Sequence, residues 1–217
     1  MDHDDAGSAS APVRVGSFGD GRATLQAGDA SGIVITDAAG FILEHLIVAG
    51  GWDANAQTGN TGEGVLATRN VVDGSRSHSR ARFLRMHDLE IHGFKLAGIG
   101  LHAQPSDASK PGGFEDVEIS DCDVHDNGDF GISSDGPFSA GPGYSHASVR
   151  IRRVRSYANR GLVGKGSHTG SGIVLSDVDG ALIEGIGRRD ARQQRLLRHR
   201  AELVRRVRWY GRHAAGQ

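Results

Sequence analysis

A glycine followed by isoleucine or valine opens a short apolar segment five times in this chain, at Gly32, Gly64, Gly98, Gly131 and Gly172. The spacings are 32, 34, 33 and 41 residues. A second pattern, apolar-x-apolar-x-x-apolar-x-apolar, precedes four of them: Phe41/Leu43/Leu46/Val48, Leu84/Met86/Leu89/Ile91, Val117/Ile119/Cys122/Val124 and Val149/Ile151/Val154/Ser156. A fifth copy begins at Ala181/Ile183/Ile186, and a fragment sits at Val13/Val15/Phe18. Self-similarity at such a period marks a solenoid or array. Within each copy the apolar residues alternate with period two, which is strand spacing, and no helical stripe runs through residues 13–187. Each copy therefore predicts about three short strands separated by Gly, Asp, Asn and Ser turns. Stacking such copies predicts an all-β solenoid with one apolar column per inward position. At about 4.8 Å per layer, five or six rungs make a rod of roughly 25–30 Å.

Composition removes several other classes. Glycine supplies 33 of 217 residues without a collagen period, and apolar residues recur too often for a disordered chain. The single cysteine, Cys122, excludes an intrachain disulfide framework. No apolar run reaches the length of a membrane span, and the acidic, polar opening MDHDDAGSASAP does not read as a secretory signal. Charge is distributed unevenly. Residues 1–187 hold 15 basic and 24 acidic side chains, whereas 188–217 hold ten arginines and two acids. An acidic body argues against nucleic-acid binding by the main domain. The expected organisation is a disordered segment 1–12, a β-solenoid domain 13–187, and a basic tail 188–217. Leu197, Ala201, Val204 and Trp209 give that tail a rough helical spacing, so it reads as out-of-family sequence arising from a reading-frame slip, as a capping helix or, from its ten arginines, as an RNA- or membrane-surface tail.

The segments RFLRMHDLEIHGFKLAGIGLH (82–102), FEDVEISDCDVHDNGDFGISS (114–134) and SGIVLSDVDGALIE (171–184) resemble the right-handed parallel β-helix, or pectin-lyase-like, superfamily. The resemblance spans residues 13–186. It implies a right-handed parallel β-helix and a carbohydrate-active protein that binds, and as a lyase or glycoside hydrolase cleaves, an acidic polysaccharide. It also implies action outside the cell, although no export signal is read here. The superfamily includes non-enzymatic fibres, so a non-catalytic carbohydrate-binding or structural module, in the form of a truncated member, is the other expectation. The polygalacturonase and epimerase motifs are absent, so no catalytic residue is carried over by motif.

Aligning the copies aligns their outward residues as well. One column reads Arg85, Glu118, Arg150, expected as cross-rung ion pairs; the next Asp88, Asp121, Arg153; the next Glu90, Asp123, Arg155; and beside it His92, His125, Tyr157. Eliminating or hydrolysing a uronate needs an acid, a base and neutralisation of the sugar carboxylate. Glu90, Asp123, His125 and Arg155 are the candidate catalytic residues, with histidine as a base near neutral pH. His92 and Arg153 are candidate substrate contacts. Asp88 and Asp121 are candidate ligands for a Ca²⁺ ion, which takes several oxygen donors. The competing expectation is a solvated ladder of ion pairs. Stacked carboxylates directly opposite one another destabilise a sheet unless something compensates them.

Three long loops, 67–82, 102–113 and 133–147, follow consecutive rungs and are expected to stack as a wall. They carry Arg69, Arg76, His78, Arg80, His102, Lys110, Phe138, Tyr144 and His146. His102, Lys110, Tyr144 and His146 are the further substrate-binding candidates. Loops 49–63 and 158–171, with Trp52, Lys165 and His168, belong to non-adjacent rungs and are not expected to form one site. Asn127 and Asn159, at one repeat position, are expected to form a structural ladder.

Overall fold

The computed structural model describes residues 1–70, 79–104, 112–137, 144–166 and 169–187. The basic tail, with Arg76, His78, Lys110, Phe138 and His168, lies outside the described residues. In chain order the strands are β1 (Val13–Gly16), β2 (Ala23–Gln26), β3 (Ile33–Thr36), β4 (Phe41–Ala49), β5 (Val65–Arg69), β6 (Ala81–His92), β7 (Ala97–Ala103), β8 (Phe114–Ser120), β9 (Asp123–His125), β10 (Phe130–Asp135), β11 (His146–Arg152), β12 (Arg155–Tyr157), β13 (Ser171–Leu175), β14 (Val178–Asp179) and β15 (Leu182–Glu184). The described chain is all-β, broken by one 3-10 turn at His3–Asp5. No helix among the described residues is long and apolar enough to cross a membrane.

Two parallel sheets share the strands. The larger runs β1-β4-β6-β8-β11-β14, with β2, β9, β12 and β15 paired alongside, and the smaller runs β3-β5-β7-β10-β13. From β3 onward the chain passes back and forth between them, and each return lays a strand parallel to the one before. Register follows the sequence repeat. Phe41, Leu84, Val117 and Val149 stand side by side, as do Leu43, Met86, Ile119 and Ile151. In the smaller sheet Ile33, Val65, Ile99, Ile132 and Ile173 do the same. Ile91 pairs with Val124, and both are fully buried. These columns form one apolar core. Each fully buried aliphatic side chain contributes roughly 1.5–3 kcal/mol.

The two-residue step inside each copy has a conformational cause. His45, Asp88, Asp121 and Arg153 occupy equivalent positions with φ of 56°, 53°, 55° and 51°. This left-handed residue bends the strand and restores the inward alternation after it. Asp and His are among the side chains that tolerate the conformation. A second such column stands at Gly40, Phe83, Asp116 and Ser148. The recurring Gly-Ile/Val pair is steric in origin. A Cβ on Gly32, Gly64 or Gly98 would overlap the inward side chain of Val48, Ile91 or Val124 respectively. Only glycine lets the smaller sheet approach the larger one that closely.

Within residues 1–12, read from the sequence as a disordered segment, Met1 is hydrogen-bonded to the smaller sheet. The Met1 ammonium donates to Val34 O at 2.9 Å, and Thr36 N donates to Met1 O at 2.9 Å. The free edge of β3 leaves backbone groups in need of partners, and Met1 supplies them. Met1–Ile186 forms one compact unit.

Candidate functional site

The outward columns of the larger sheet come together as the repeat implies. Glu90 pairs with Asp123 and Asp123 with Arg155, while His92 pairs with His125 and His125 with Tyr157. All four candidate catalytic residues thus lie on one surface. What the columns do not reveal is how fully the carboxylates are occupied. Arg155 forms a two-pronged ion pair with Asp123 through Nε and Nη2. Arg153 does the same to Asp121, with both bonds 2.6 Å. Arg22, from the turn before β2, reaches across to Asp88 with Nη2 and to Glu90 with Nη1 at 3.4 Å. His45 Nδ1 lies 2.7 Å from the second oxygen of Asp88. Compensation of the stacked carboxylates is therefore complete. The Arg153 guanidinium beside Asp121 holds its carboxyl below the usual carboxylate range. For Asp88, burial pushes upward but the bonds from His45 and Arg22 prevail and lower it.

The Ca²⁺ expectation fails a simple fit. A calcium ion takes six to eight oxygens, yet all four carboxylate oxygens of Asp88 and Asp121 already face nitrogen donors. Asp88 and Asp121 also have a local reason to be there, since each holds a left-handed corner. The Arg85 column also behaves differently from its alignment. Arg85 stands in register with Glu118 but binds Asp116 with Nη2 at 2.8 Å to both oxygens, and its guanidinium stacks 4.2 Å over Phe83.

The rings form a continuous stack. His92 and His125 are 5.2 Å apart and His125 and Tyr157 4.8 Å apart, all within 12° of parallel. His125 Nδ1 is 2.7 Å from Asp126 Oδ2, and its Nε2 lies 3.6 Å from Glu90 Oε1. Burial, then the neighbouring His125, holds His92 below the ordinary histidine value, so it is neutral near pH 7. Because the rings face each other, they present edges rather than faces to a ligand.

On the loop side the candidates separate. His102 is clasped by two carboxylates, with Nδ1 2.9 Å from Asp135 Oδ1 and Nε2 2.9 Å from Glu63 Oε1. Burial opposes its protonation, but the bonds to Asp135 and Glu63 raise it to about 10. A Cβ on Gly100 would overlap Glu63, so that glycine makes room for the buried carboxylate. His146 is fully buried; it accepts from Phe114 N at Nδ1 and donates from Nε2 to Asp135 O at 2.8 Å. With both nitrogens engaged inside the protein, it packs and orients rather than contacting a substrate. Tyr144 is exposed, and its carbonyl accepts from Arg80 Nη2 at 2.7 Å, which ties loop 67–82 to loop 133–147.

Loops 49–63 and 158–171, not expected to form one site, are in contact. Arg160 Nη1 donates to Asn55 Oδ1 at 3.0 Å, and Val163 N donates to Gln57 Oε1 at 3.0 Å. Trp52 tucks beneath them beside Gly128, where an added Cβ would also meet Leu162. The Asn ladder is present: Asn127 Nδ2 donates to Asn159 Oδ1, and Phe94 N to Asn127 Oδ1, both at 3.1 Å.

No protein-family model, curated protein or solved structure matches the chain.

Proposed function

We propose that the chain is a right-handed parallel β-helix that binds an acidic polysaccharide on its charged outward face without cleaving it. The alternation between two parallel sheets supports the coil, and right-handedness follows from the strong bias of parallel crossovers. The observation that carries the non-catalytic reading is the pairing of every candidate carboxylate. Asp123, Asp121 and Asp88 each bind a guanidinium, and Glu90 faces both Arg22 and His125. A carboxylate held this way is a poor general base and is not available to a cation. Binding is supported by what the arginines retain. Arg153 and Arg155 use Nε and Nη2, which leaves each Nη1 without a hydrogen-bond partner among the described residues. Arg153 is 56% exposed at its side chain. Two guanidinium edges two residues apart, beside the ring stack, suit sugar carboxylates and hydroxyls.

The test is gel retardation of the protein by pectate, alginate and a neutral glucan, with ultraviolet absorbance of unsaturated uronide followed in parallel. Retardation by the uronate polymers alone is expected, with no absorbance change. Arg153→Ala/Arg155→Ala should weaken it by tenfold or more, since a charged hydrogen bond contributes roughly 1.5–3 kcal/mol. Absence of retardation by any polymer would overturn the reading.

A lyase reading has one specific observation in its favour. Asp126 holds His125 Nδ1, which is how a histidine is oriented to use Nε2 as a base. Uronide absorbance that disappears in His125→Ala would establish it.

A further inference from the structure

We infer that the chain carries a second, separate site: a small oxyanion pocket at the corner between β3 and β4, built to take a sugar carboxylate or a sulfate. The cavity measures about 230 Å³ and is lined by Arg69, Arg80 and Arg82, with Asp37 and small residues including Ala6 and Gly7. It lies on the loop side and shares no residue with the Arg153/Arg155 face.

On the outward face of the larger sheet Arg153 and Arg155 face carboxylates. Arg80 instead donates from Nε to Ser145 O at 3.1 Å and from Nη2 to Tyr144 O at 2.7 Å. Carbonyl oxygens orient a guanidinium without cancelling its charge. Its Nη1 has no hydrogen-bond partner among the described residues. Arg82 is bound at one nitrogen, Nη2, by Glu115 at 3.1 Å, and its side chain is 70% exposed. Arg69 is 5% exposed and donates to Asp37 O at 2.8 Å and Ser79 O at 3.0 Å, so its position in the wall is fixed. The one lining carboxylate, Asp37, accepts from Asn70 N at 2.7 Å and lies 4.0 Å from Arg69 Nη1. With Arg69 beside Asp37 and Arg82 beside Glu115, Arg80 is the lining guanidinium whose partners among the described residues are carbonyl oxygens rather than carboxylates.

Size and shape set the class of ligand. The volume falls below the roughly 300–1,000 Å³ of pockets that enclose a drug-sized molecule. It accommodates one charged group with the edge of a small ring, not a polymer. Gly7 permits the close wall, because a Cβ there would overlap Gly40 O. A planar donor fork favours carboxylate and sulfate over a neutral hydroxyl.

The test is calorimetric titration of the full chain with glucuronate, inorganic sulfate and glucose. Both anions are expected to bind and glucose is not. Preference for glucuronate would identify a sugar acid as the source, and preference for sulfate a free anion or a sulfated glycan. Arg80→Gln removes the uncompensated charge and should weaken anion binding by roughly tenfold, a factor equivalent to 1.4 kcal/mol. Ala6→Phe fills the mouth from an exposed position outside the core and should weaken it at least as much, so the inference stays testable even if Arg80→Gln fails to fold. Arg153→Ala/Arg155→Ala should remove retardation by the uronate polymers while keeping the anion binding that Ala6→Phe removes, so failure of the polymer-binding face and failure of this pocket give different results. Glucose binding as well as the anions do, no anion binding by the parent chain, or unchanged binding in Ala6→Phe would overturn the inference.

Discussion

His102 couples the protein's stability to pH through a single side chain. Its imidazolium bridges Asp135 and Glu63, and the latter is 5% exposed. Burial works against the charge, yet the two carboxylates raise its pKa to about 10. A folded-state pKa above the unfolded value of about 6.5 gives stability that is fully present below pH 6.5 and lost as pH rises toward 10. The loss is on the order of a few kcal/mol at most, given about 1.4 kcal/mol per pH unit. Thermal midpoints measured from pH 6.5 to 10 should therefore fall in the parent chain, and His102→Gln should flatten that limb. The opposite limb belongs to Asp121 and Asp88, whose lowered pKa values give stability that is present above about pH 4 and lost below it. Arg153→Ala should move the acid transition to higher pH, and Asp121's partial exposure keeps that shift small. Sequence placed Asp88 and Asp121 one above the other but did not show Arg22, 66 residues from Asp88, closing over them. A long side chain chooses among several neighbours within its reach, and that choice leaves no periodic trace. Arg85 selecting Asp116 over Glu118 has the same cause.

At the scale of the element, repeated glycine does more to define the layers than repeated leucine. The apolar columns fix which residues point inward, but Gly64 and Gly98 set how closely the sheets approach. Gly98→Ala would drive a Cβ into Val124 Cγ1 and against Asn127 Nδ2. Overpacking of this kind costs typically 1–3 kcal/mol, so the urea midpoint should drop clearly. Gly21→Ala, where an added Cβ meets nothing within 4 Å, should leave the midpoint unchanged within about 0.5 kcal/mol. Strand spacing, register and the Gly-Ile/Val signature were legible because each is periodic. Loop contacts were not: the turn 53–58 reaches Arg160 and Val163 over more than a hundred residues of sequence. His146 likewise lies in a segment read as a binding loop, and its burial against Phe114 becomes visible only once β11 is seen to begin at that residue.

The proposed coil makes a whole-molecule prediction that isolated residues cannot. If each layer packs mainly on its neighbours, stability is close to a sum of layer and interface contributions, and a complete layer can be removed while the remaining strands keep their register. Residues 98–130 form such a unit, because Gly98 and Gly131 stand at the same repeat position and Ile99 pairs with Ile132. Deleting them joins Ala97 to Gly131. Val65 then faces Ile132 where it faced Ile99, Leu84 faces Val149 where it faced Val117, and the glycine column stays continuous. The shortened chain should keep its β circular dichroism and unfold cooperatively. At roughly 0.05–0.15 kcal/mol per residue, it should lose about 2–5 kcal/mol of stability. It should also lose His125, Asp123 and Asp121, and the same shift brings Arg153 opposite Asp88 and Arg155 opposite Glu90. Deleting 98–114 instead removes a fraction of a repeat, brings outward residues to inward positions and exposes the core to charge; that chain should not fold. Equal behaviour of the two deletions would refute stacked, interchangeable coils, because only an in-register repeat distinguishes a cut of one full period from a cut of half.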